Sequence, residues 1–442
     1  MADTTLTTDV TKTSSSLLVA DERTKKRHRS EARFKAYGIG AILIGIFFLV
    51  TLAFSIVRNG IPAFTNAVVA IDFTLTQEQF DAAEGELFKT AAYEAYFNEA
   101  LTNTLNEKGL DVEIDPDAIE RILGKTGGTL REHYQANPQD LGQPVSFELA
   151  ASSRVDGYFK GRVTRENMVD SRFLMTTDLD IVDAMRDAEV VKSVFNWNFI
   201  TGADSGVDNP GGAGIGASVI GSFFMMLVVL FLSLPIGVAA SIYLEEFAPK
   251  NFWTDMIEVN IANLAAVPSI VFGILGLAVF IQFMHLPQSA PLVGGLVLTL
   301  MTLPTIIIAT RASLKSVPPS IRDAALGVGA SKMQTVFHHV LPLAAPGILT
   351  GTIIGLAQAL GETAPLLLIG MVGFVARGYP DGLISGFSDP NSAMPAQIYT
   401  WAARADVGFY EKAWGGIIIL LIFLLAMNIL AIILRRRFER RW

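Results

Sequence analysis

Five stretches of the chain contain no Asp, Glu, Lys or Arg: residues 36–57, 209–244, 259–310, 333–361 and 413–434. A helix needs about 20 apolar residues to cross the hydrocarbon core of a bilayer, and five charge-free runs of that length do not occur in a soluble protein. The third run, at 52 residues, is too long for one crossing, and His285, Pro287 and Pro291 cluster near its middle. It divides into two spans joined by a short turn. The pattern therefore predicts six transmembrane helices, at about 37–57, 216–243, 260–284, 291–310, 342–362 and 415–434.

Between the first and second spans the pattern changes. From Thr76 to Leu105 the apolar residues Phe80, Leu87, Ala91, Ala95 and Leu101 recur near helical spacing. Pro116, preceded by Asp115, opens a second helix that runs to about Tyr134. Val145, Phe147 and Leu149 alternate with polar neighbours, as in a short strand. A mixed α+β domain is expected here, and the Asn-Pro-Gly-Gly-Ala-Gly run at 209–214 reads as a flexible hinge out of it. The expected fold is an all-α polytopic membrane protein with this α+β domain inserted between helices 1 and 2. Its parts are a basic tail at 1–36, a first span at 37–57, the inserted domain at 58–212 and a helical core at 213–442.

Composition agrees: 51% of the 442 residues are hydrophobic and 17% are charged, below the roughly 25% of soluble domains. The absence of cysteine excludes a disulfide scaffold and thiol or iron–sulfur chemistry. The net charge of −8 is unevenly placed. With the N-terminus inside, segments 1–35, 245–258, 311–332 and 435–442 carry 18 of the 34 Lys and Arg and net +7. Segment 58–208 nets −13. The bias of Lys and Arg sets orientation. Lys25, Lys26, Arg27 and Arg29, with the closing Arg435, Arg436, Arg437, Arg440 and Arg441, place both termini in the cytoplasm and the acidic domain outside. The basic end of the tail is suited to anionic lipid. The first span reads as an uncleaved signal anchor, since 35 polar residues precede it and only the weak site Ala53-Phe54-Ser55 lies near its end.

One loop between the fourth and fifth spans stands out. Pro318 and Pro319 open a helix, and the small residues Ala324, Ala325, Gly329 and Ala330 make a surface that a bulky partner could approach closely. Asp323-Ala324-Ala325, then Gly329, then Leu341-Pro342 resembles the EAA loop of ABC importer permeases, with Asp323 in place of the family glutamate and His339 at a usually apolar position. Three further stretches resemble permeases of the phosphate-specific transport system: Leu234–Val238 leading to Ile242–Leu244, Asn263–Gly273, and Gly361–Leu367. Ala364-Pro365-Leu366 and Gln397–Trp401 are similar to the PstA type. The resemblance spans about residues 195–442, and the insertion looks like the extended N-terminal region of some bacterial PstA-type members.

The resemblance implies a subunit of a phosphate importer in the bacterial inner membrane. Its loop at 317–332 would dock on an ATPase through Asp323, Ala324, Ala325 and Gly329, with Leu341 and Pro342 opening the next span. The implied partners are a PstC-like second permease, a PstB-like ATPase dimer, a PstS-like periplasmic binding protein, phosphate and membrane lipid, with no nucleic acid and no cofactor. Two other readings remain open: a permease for another oxyanion, and a membrane-anchored sensor that works through residues 58–212.

The residues themselves add candidates. The apolar run from Leu341 to Ala376 is interrupted only by Glu362. As one helix it would measure about 54 Å, far beyond the roughly 30 Å core, so it must break near Gly361 and Pro365. A carboxylate at a broken helix is a candidate pathway residue, so Glu362 and Thr363 are expected at a gate where Glu362 pairs with an arginine. Arg311, at the inner end of the fourth span, is a candidate exit residue for anions. Gly347, Gly351 and Gly355 form a stripe for close helix packing. Pro235, Pro268 and Pro304 are expected to bend their spans. Gly124-Lys125-Thr126 ends like a phosphate-binding loop, but Ile119 occupies the required first-glycine position. With no Gly-x4-Gly-Lys-Ser/Thr loop and no His-Glu-x-x-His motif, the chain reads as a transport subunit and not an enzyme.

Overall fold

The computed structural model describes residues 22–107, 116–124, 126–166, 174–206, 209–371 and 379–438. Residues 1–21 of the basic tail, Asp115, Lys125, the continuation of the fifth run through Ala376, Arg440 and Arg441 lie outside the described residues. The chain divides into two units, 1–56 and 57–442.

The first unit holds most of helix α1, Glu22–Gly60. Residues 22–35 of the basic tail are helical. They are rich in Arg, Lys and Glu, which favour helix, and Glu31 meets Lys35 one turn on at 2.9 Å. The apolar side chains from Ile39 to Leu52 are largely exposed, as a lipid-facing helix requires.

The second unit opens with the α+β domain. In chain order it contains β1 (Thr65–Phe73), α2 (Gln77–Gly85), α3 (Lys89–Glu107), α4 (Pro116–Leu123), α5 (Gly127–Ala136), β2 (Val145–Ala150), α6 (Ser153–Phe159), α7 (Thr176–Asp187) and β3 (Val191–Phe195). The strands form an antiparallel sheet of order β2-β1-β3, with Phe73 opposite Val145 and Thr65 opposite Phe195. The expected alternation in β2 holds, and Phe147 and Leu149 are buried. Phe73, Phe97, Tyr134 and Phe147 meet as an aromatic cluster under the sheet.

The helical pattern expected from Thr76 to Leu105 is realised in a different phase. Glu86 ends α2 in extended backbone, so α3 starts a new register. Its buried face is Tyr93, Phe97, Leu101 and Leu105, whereas Ala91 and Ala95 are exposed and Leu87 stands 88% exposed in the link. The helix expected from Pro116 to Tyr134 is likewise two helices, broken at Gly124, whose φ of 73° suits glycine.

The helical core follows. After α8 (Trp197–Thr201), α9 (Gly216–Ile242) continues as a wide π-helical turn through Phe247. Next come α10 (Phe252–Ala265), α11 (Ser269–Leu275), extended by π-helical turns to Phe283, and α12 (Pro291–Ser316). Then α13 (Pro319–Gly327) and α14 (Lys332–Thr335) lead through a π-helical turn into α15 (Leu341–Gly361). The chain closes with α16 (Ala364–Leu368), α17 (Leu383–Ser388), α18 (Met394–Ala403) and α19 (Val407–Phe438).

Five helical segments among the described residues are long and apolar enough to cross a membrane. The span expected at 260–284 is not among them as a single helix. α10 and α11 meet at a 102° bend, and together they supply a sixth, broken span. Pro268 causes the break: it has no N–H to donate and forces the residue before it out of helical backbone. Pro235 and Pro304, by contrast, sit inside helices that continue past them.

The expected hinge at 209–214 is pinned. Asn198 Nδ2 donates to Gly212 O at 2.8 Å, and Gly214 N donates to Ala203 O at 2.8 Å. A buried ionic network then fixes the α+β domain to α19. Lys160 Nζ lies 2.6 Å from Asp156 and 2.7 Å from Glu411 and donates to Thr65 O at 2.7 Å, while Arg162 Nε lies 2.6 Å from Glu411. Asp204 is held in the same way by Arg404 at 2.6 Å and by Trp401 Nε1 at 2.8 Å.

Candidate functional site

The 317–332 loop is built as a firm base with an uncovered top. Its helix α13 starts at the two prolines, and Gly329 ends it at φ 91°, a conformation that disfavours any side chain. Ser331 and Gln334 then form a reciprocal cap that starts α14. The inward side chains Ile321, Val336 and Val340 join Ile242, Leu314 and Val317, which close the inner ends of α9 and α12. Ala325 is buried, while Asp323, Ala324 and Gly329 face outward. Beside them Leu326, Val328, Met333 and Phe337 are exposed, with Val328 at 86%.

Beneath that surface lies a pair of arginine clamps. Arg322 on α13 reaches Glu246 through Nη2 at 2.7 Å and Nε at 3.1 Å, and Glu246 is only 8% exposed. The same guanidinium donates to Leu314 O, which also accepts from Val317 N, and to Val317 O just past the end of α12, at 2.9 and 2.8 Å. Arg311 on α12 meets Glu258 of α10 at 2.6 Å and Glu245 at 3.4 Å, with Lys315 at 3.6 Å from Glu245. The two adjacent glutamates thus serve different arginines, so α9, α10, α12 and α13 are tied at one end of the core. Arg311 is enclosed by carboxylates and belongs to this brace.

The break expected in the fifth run is present: α15 ends at Gly361 and α16 begins at Ala364. Glu362 is extended between them, and Thr363 O accepts from Leu366 N and Leu367 N, within the new helix. With 21 residues, α15 is about 30 Å long, so Glu362 stands a full hydrocarbon thickness from Leu341 and Pro342. No arginine among the described residues pairs with Glu362. The expected ion pair is therefore not formed within the described chain.

Two of the resembling stretches are brought together here. Gly273 on α11 faces Pro365 so closely that a Cβ would lie 2.7 Å from Pro365 Cα. The glycine stripe also has its partner within the chain: Gly347 faces Ser313, Gly351 faces Ala309 and Gly355 faces Ile306, all on α12. Glu245, Glu246, Glu258 and Arg322 were not evident as a group from sequence. The available signal was their position: acids just past one apolar run, bases just past the next.

Comparison with known proteins follows this geometry. Residues 233–442 match the family described as binding-protein-dependent transport system inner membrane component, and residues 21–168 match a domain of unknown function, DUF3333. A probable ABC transporter permease protein YqgI of Bacillus subtilis is 34% identical over 40% of this chain and 58% of its own length, so the chain covers little more than half of that relative. The phosphate transport system permease protein PstA of Mycobacterium leprae is 30% identical over 52% of this chain and 72% of its own. A chain of the MetNI methionine ABC transporter in an inward-facing conformation is 16% identical, with a TM-score of 0.38 over 51% of this chain and 95% of that one. The chain belongs to the binding-protein-dependent ABC transporter permeases, of the PstA type.

Proposed function

We propose that this permease forms half of the translocation path of an ATP-driven phosphate importer and receives the power stroke through the 317–332 loop. The chain is a membrane component and not itself an enzyme. The reading places both termini and the loop in the cytoplasm and the acidic α+β domain outside. An ATPase dimer docks on Asp323, Ala324 and the exposed apolar side chains beside them. A second permease completes the path, and a periplasmic binding protein delivers phosphate to the outer mouth.

The observation that carries this reading is the braced loop. Its top is small, apolar and uncovered, and its base is locked to three span ends through Arg322 and Arg311. A push on α13 is passed to α9, α10 and α12 through these part-buried ion pairs. Glu362 and Thr363, at the far end of α15, then sit at the outer mouth, where Glu362 meets an arginine of the second permease on closure. The relatives named as phosphate permeases support phosphate as cargo.

The test is uptake of labelled phosphate by proteoliposomes holding the assembled transporter, competed with excess sulfate and molybdate. Uptake that withstands both competitors is expected, and uptake abolished by either one overturns phosphate as cargo. Asp323→Lys, which places a cation on the docking surface, should leave ATP hydrolysis no longer tied to uptake. Normal uptake by that variant removes the loop from its role.

A further inference from the structure

The base of the α+β domain meets the core at a depth that its contacts define. A Cβ at Gly60, the last residue of α1, would lie 2.6 Å from Ile418 Cδ1 and 2.8 Å from Trp414 O. A Cβ at Gly415 would lie 2.5 Å from Ala63 Cβ and 2.8 Å from Phe199 Cζ. The charge-free run of α19 begins at Ala413. Gly60, Ala63 and Phe199 therefore stand where that span enters the hydrocarbon. At this level one side of the domain's base is apolar and uncovered. Ile61 and Phe64 lie three apart in a 3-10 turn, which puts them on one face. Phe64 packs edge-on against the buried Phe199 with ring centroids 5.3 Å apart, and stacks on Phe195 at 6.5 Å. Phe195, the last residue of β3, meets Trp197 edge-on at 4.8 Å. Ile61 and Phe195 are exposed, and Trp197 is 68% exposed.

The chemistry of this patch names its partner. A contiguous exposed group of large apolar side chains marks a surface that something covers. Trp197 adds a polar handle, since among the described residues nothing accepts from its indole N–H. A ring with an apolar body and one donor is suited to the boundary between headgroups and hydrocarbon. Ile61 follows directly on α1, whose apolar side chains face lipid, so the patch begins where an established lipid surface ends. Charge excludes an electrostatic anchor. Segment 58–208 nets −13 and is repelled by anionic headgroups. The base on β3, Lys192, is paired with Glu148 at 2.9 Å. Aromatic rings hold to a bilayer whatever its charge.

We infer that Ile61, Phe195 and Trp197, with Phe64 behind them, form a lipid anchor that seats the base of the α+β domain in the headgroup layer of the bilayer. The inference rests on the transport reading only for which leaflet this is, the outer one. It is independent of the cargo. The anchor fixes the height of the sheet's β3 edge above the span ends, so the acidic remainder of the domain is held clear of the lipid surface.

The chain contains no cysteine, so Trp197→Cys, Phe195→Cys or Ser193→Cys places a single spin label in it. Ser193 is the exposed control, two residues from Phe195 on the same face of β3 and about 7 Å along the strand. The assembled transporter in nanodiscs of zwitterionic lipid is read by collision of the label with oxygen, which concentrates in the bilayer, and with a water-soluble nickel chelate. Labels at 197 and 195 should be open to oxygen and lose contact with nickel, at low and high salt alike, whereas the label at 193 stays open to nickel. Nickel that reaches 197 and 195 as freely as 193 puts the patch in water and overturns the inference. Labels shielded from oxygen and nickel together assign the patch to the second permease and overturn it as well. Should Trp197→Cys fail to assemble, Phe195→Cys decides alone, with the indole still in place. Failure of phosphate uptake with the lipid pattern intact would remove the transport reading and leave the anchor standing.

Discussion

Replacing Arg322 by Gln removes the clamp that joins the docking loop to the core. The arginine makes charged hydrogen bonds to Glu246 at 2.7 and 3.1 Å and donates to two helix-end carbonyls. Glu246 is 8% exposed, so deleting its partner leaves a nearly buried carboxylate uncompensated. Breaking such a pair from one side costs about 3–5 kcal/mol. At about 1.4 kcal/mol per tenfold, opening of the loop should become roughly a hundred to a few thousand times more frequent. Hydrogen–deuterium exchange reads this directly at the amides of Val328 and Ala330, which donate to Ala324 O and Ala325 O. The double variant Arg322→Gln, Glu246→Gln removes the stranded charge and should regain most of the protection. In reconstituted transporter the single variant should hydrolyse ATP with little uptake. Unchanged exchange together with normal coupling would refute the brace. So would a double variant whose loss equals the sum of the two single losses, because residues in contact should not be additive.

Three further outcomes follow from the same geometry. Glu362→Gln should abolish phosphate uptake while the complex still assembles on size exclusion, and normal uptake shows that the carboxylate plays no part in the gate. Gly351→Leu drives a side chain into Ala309 and should cost about 1–3 kcal/mol or repack α12 against α15, whereas Gly361→Ala, with open space around it, should leave the melting temperature within a degree or two. In the α+β domain the hydrogen bond from Arg131, helped by Lys89, holds the Glu84 carboxyl down at about 2. A lowered folded value means that stability is present above the ordinary carboxyl range and drains away as pH falls from about 4.5 toward 2. Thermal melts across that window should fall for the parent and flatten for Glu84→Gln, and parallel curves would exclude the pair as the cause.

Much of the fold was legible because lipid is an unforgiving solvent. A span must exclude charge, so the charge-free runs mark α1, α9, α12, α15 and α19. The break after Gly361 was legible because a continuous helix could not fit the bilayer. Pro235, Pro268 and Pro304 all marked bends, but a proline alone does not say which span breaks: the helix stops at Pro268, with a 102° bend, and continues past Pro235 and Pro304. The phase of α3 was hidden because a three-residue link, Glu86 to Phe88, reset it. The clamps and the Lys160–Glu411 pair were hidden for another reason: their partners lie 53 to 251 residues apart, and no local pattern assigns one acid to one base.

The pairing of Thr65 with Phe195 makes the α+β domain's two ends neighbours on adjacent strands, about 5 Å apart. A module whose entry and exit coincide can be acquired or lost by recombination with little disturbance to the backbone that receives it. Glu411 breaks that neutrality. At 3% exposed it depends on Lys160 and Arg162, both of which arrive with the module. In lineages without the insertion an acid at this position of the last span would be stranded, so selection should replace it with an uncharged residue. Co-occurrence of this glutamate with the inserted domain across relatives would record the order in which module and anchor were gained.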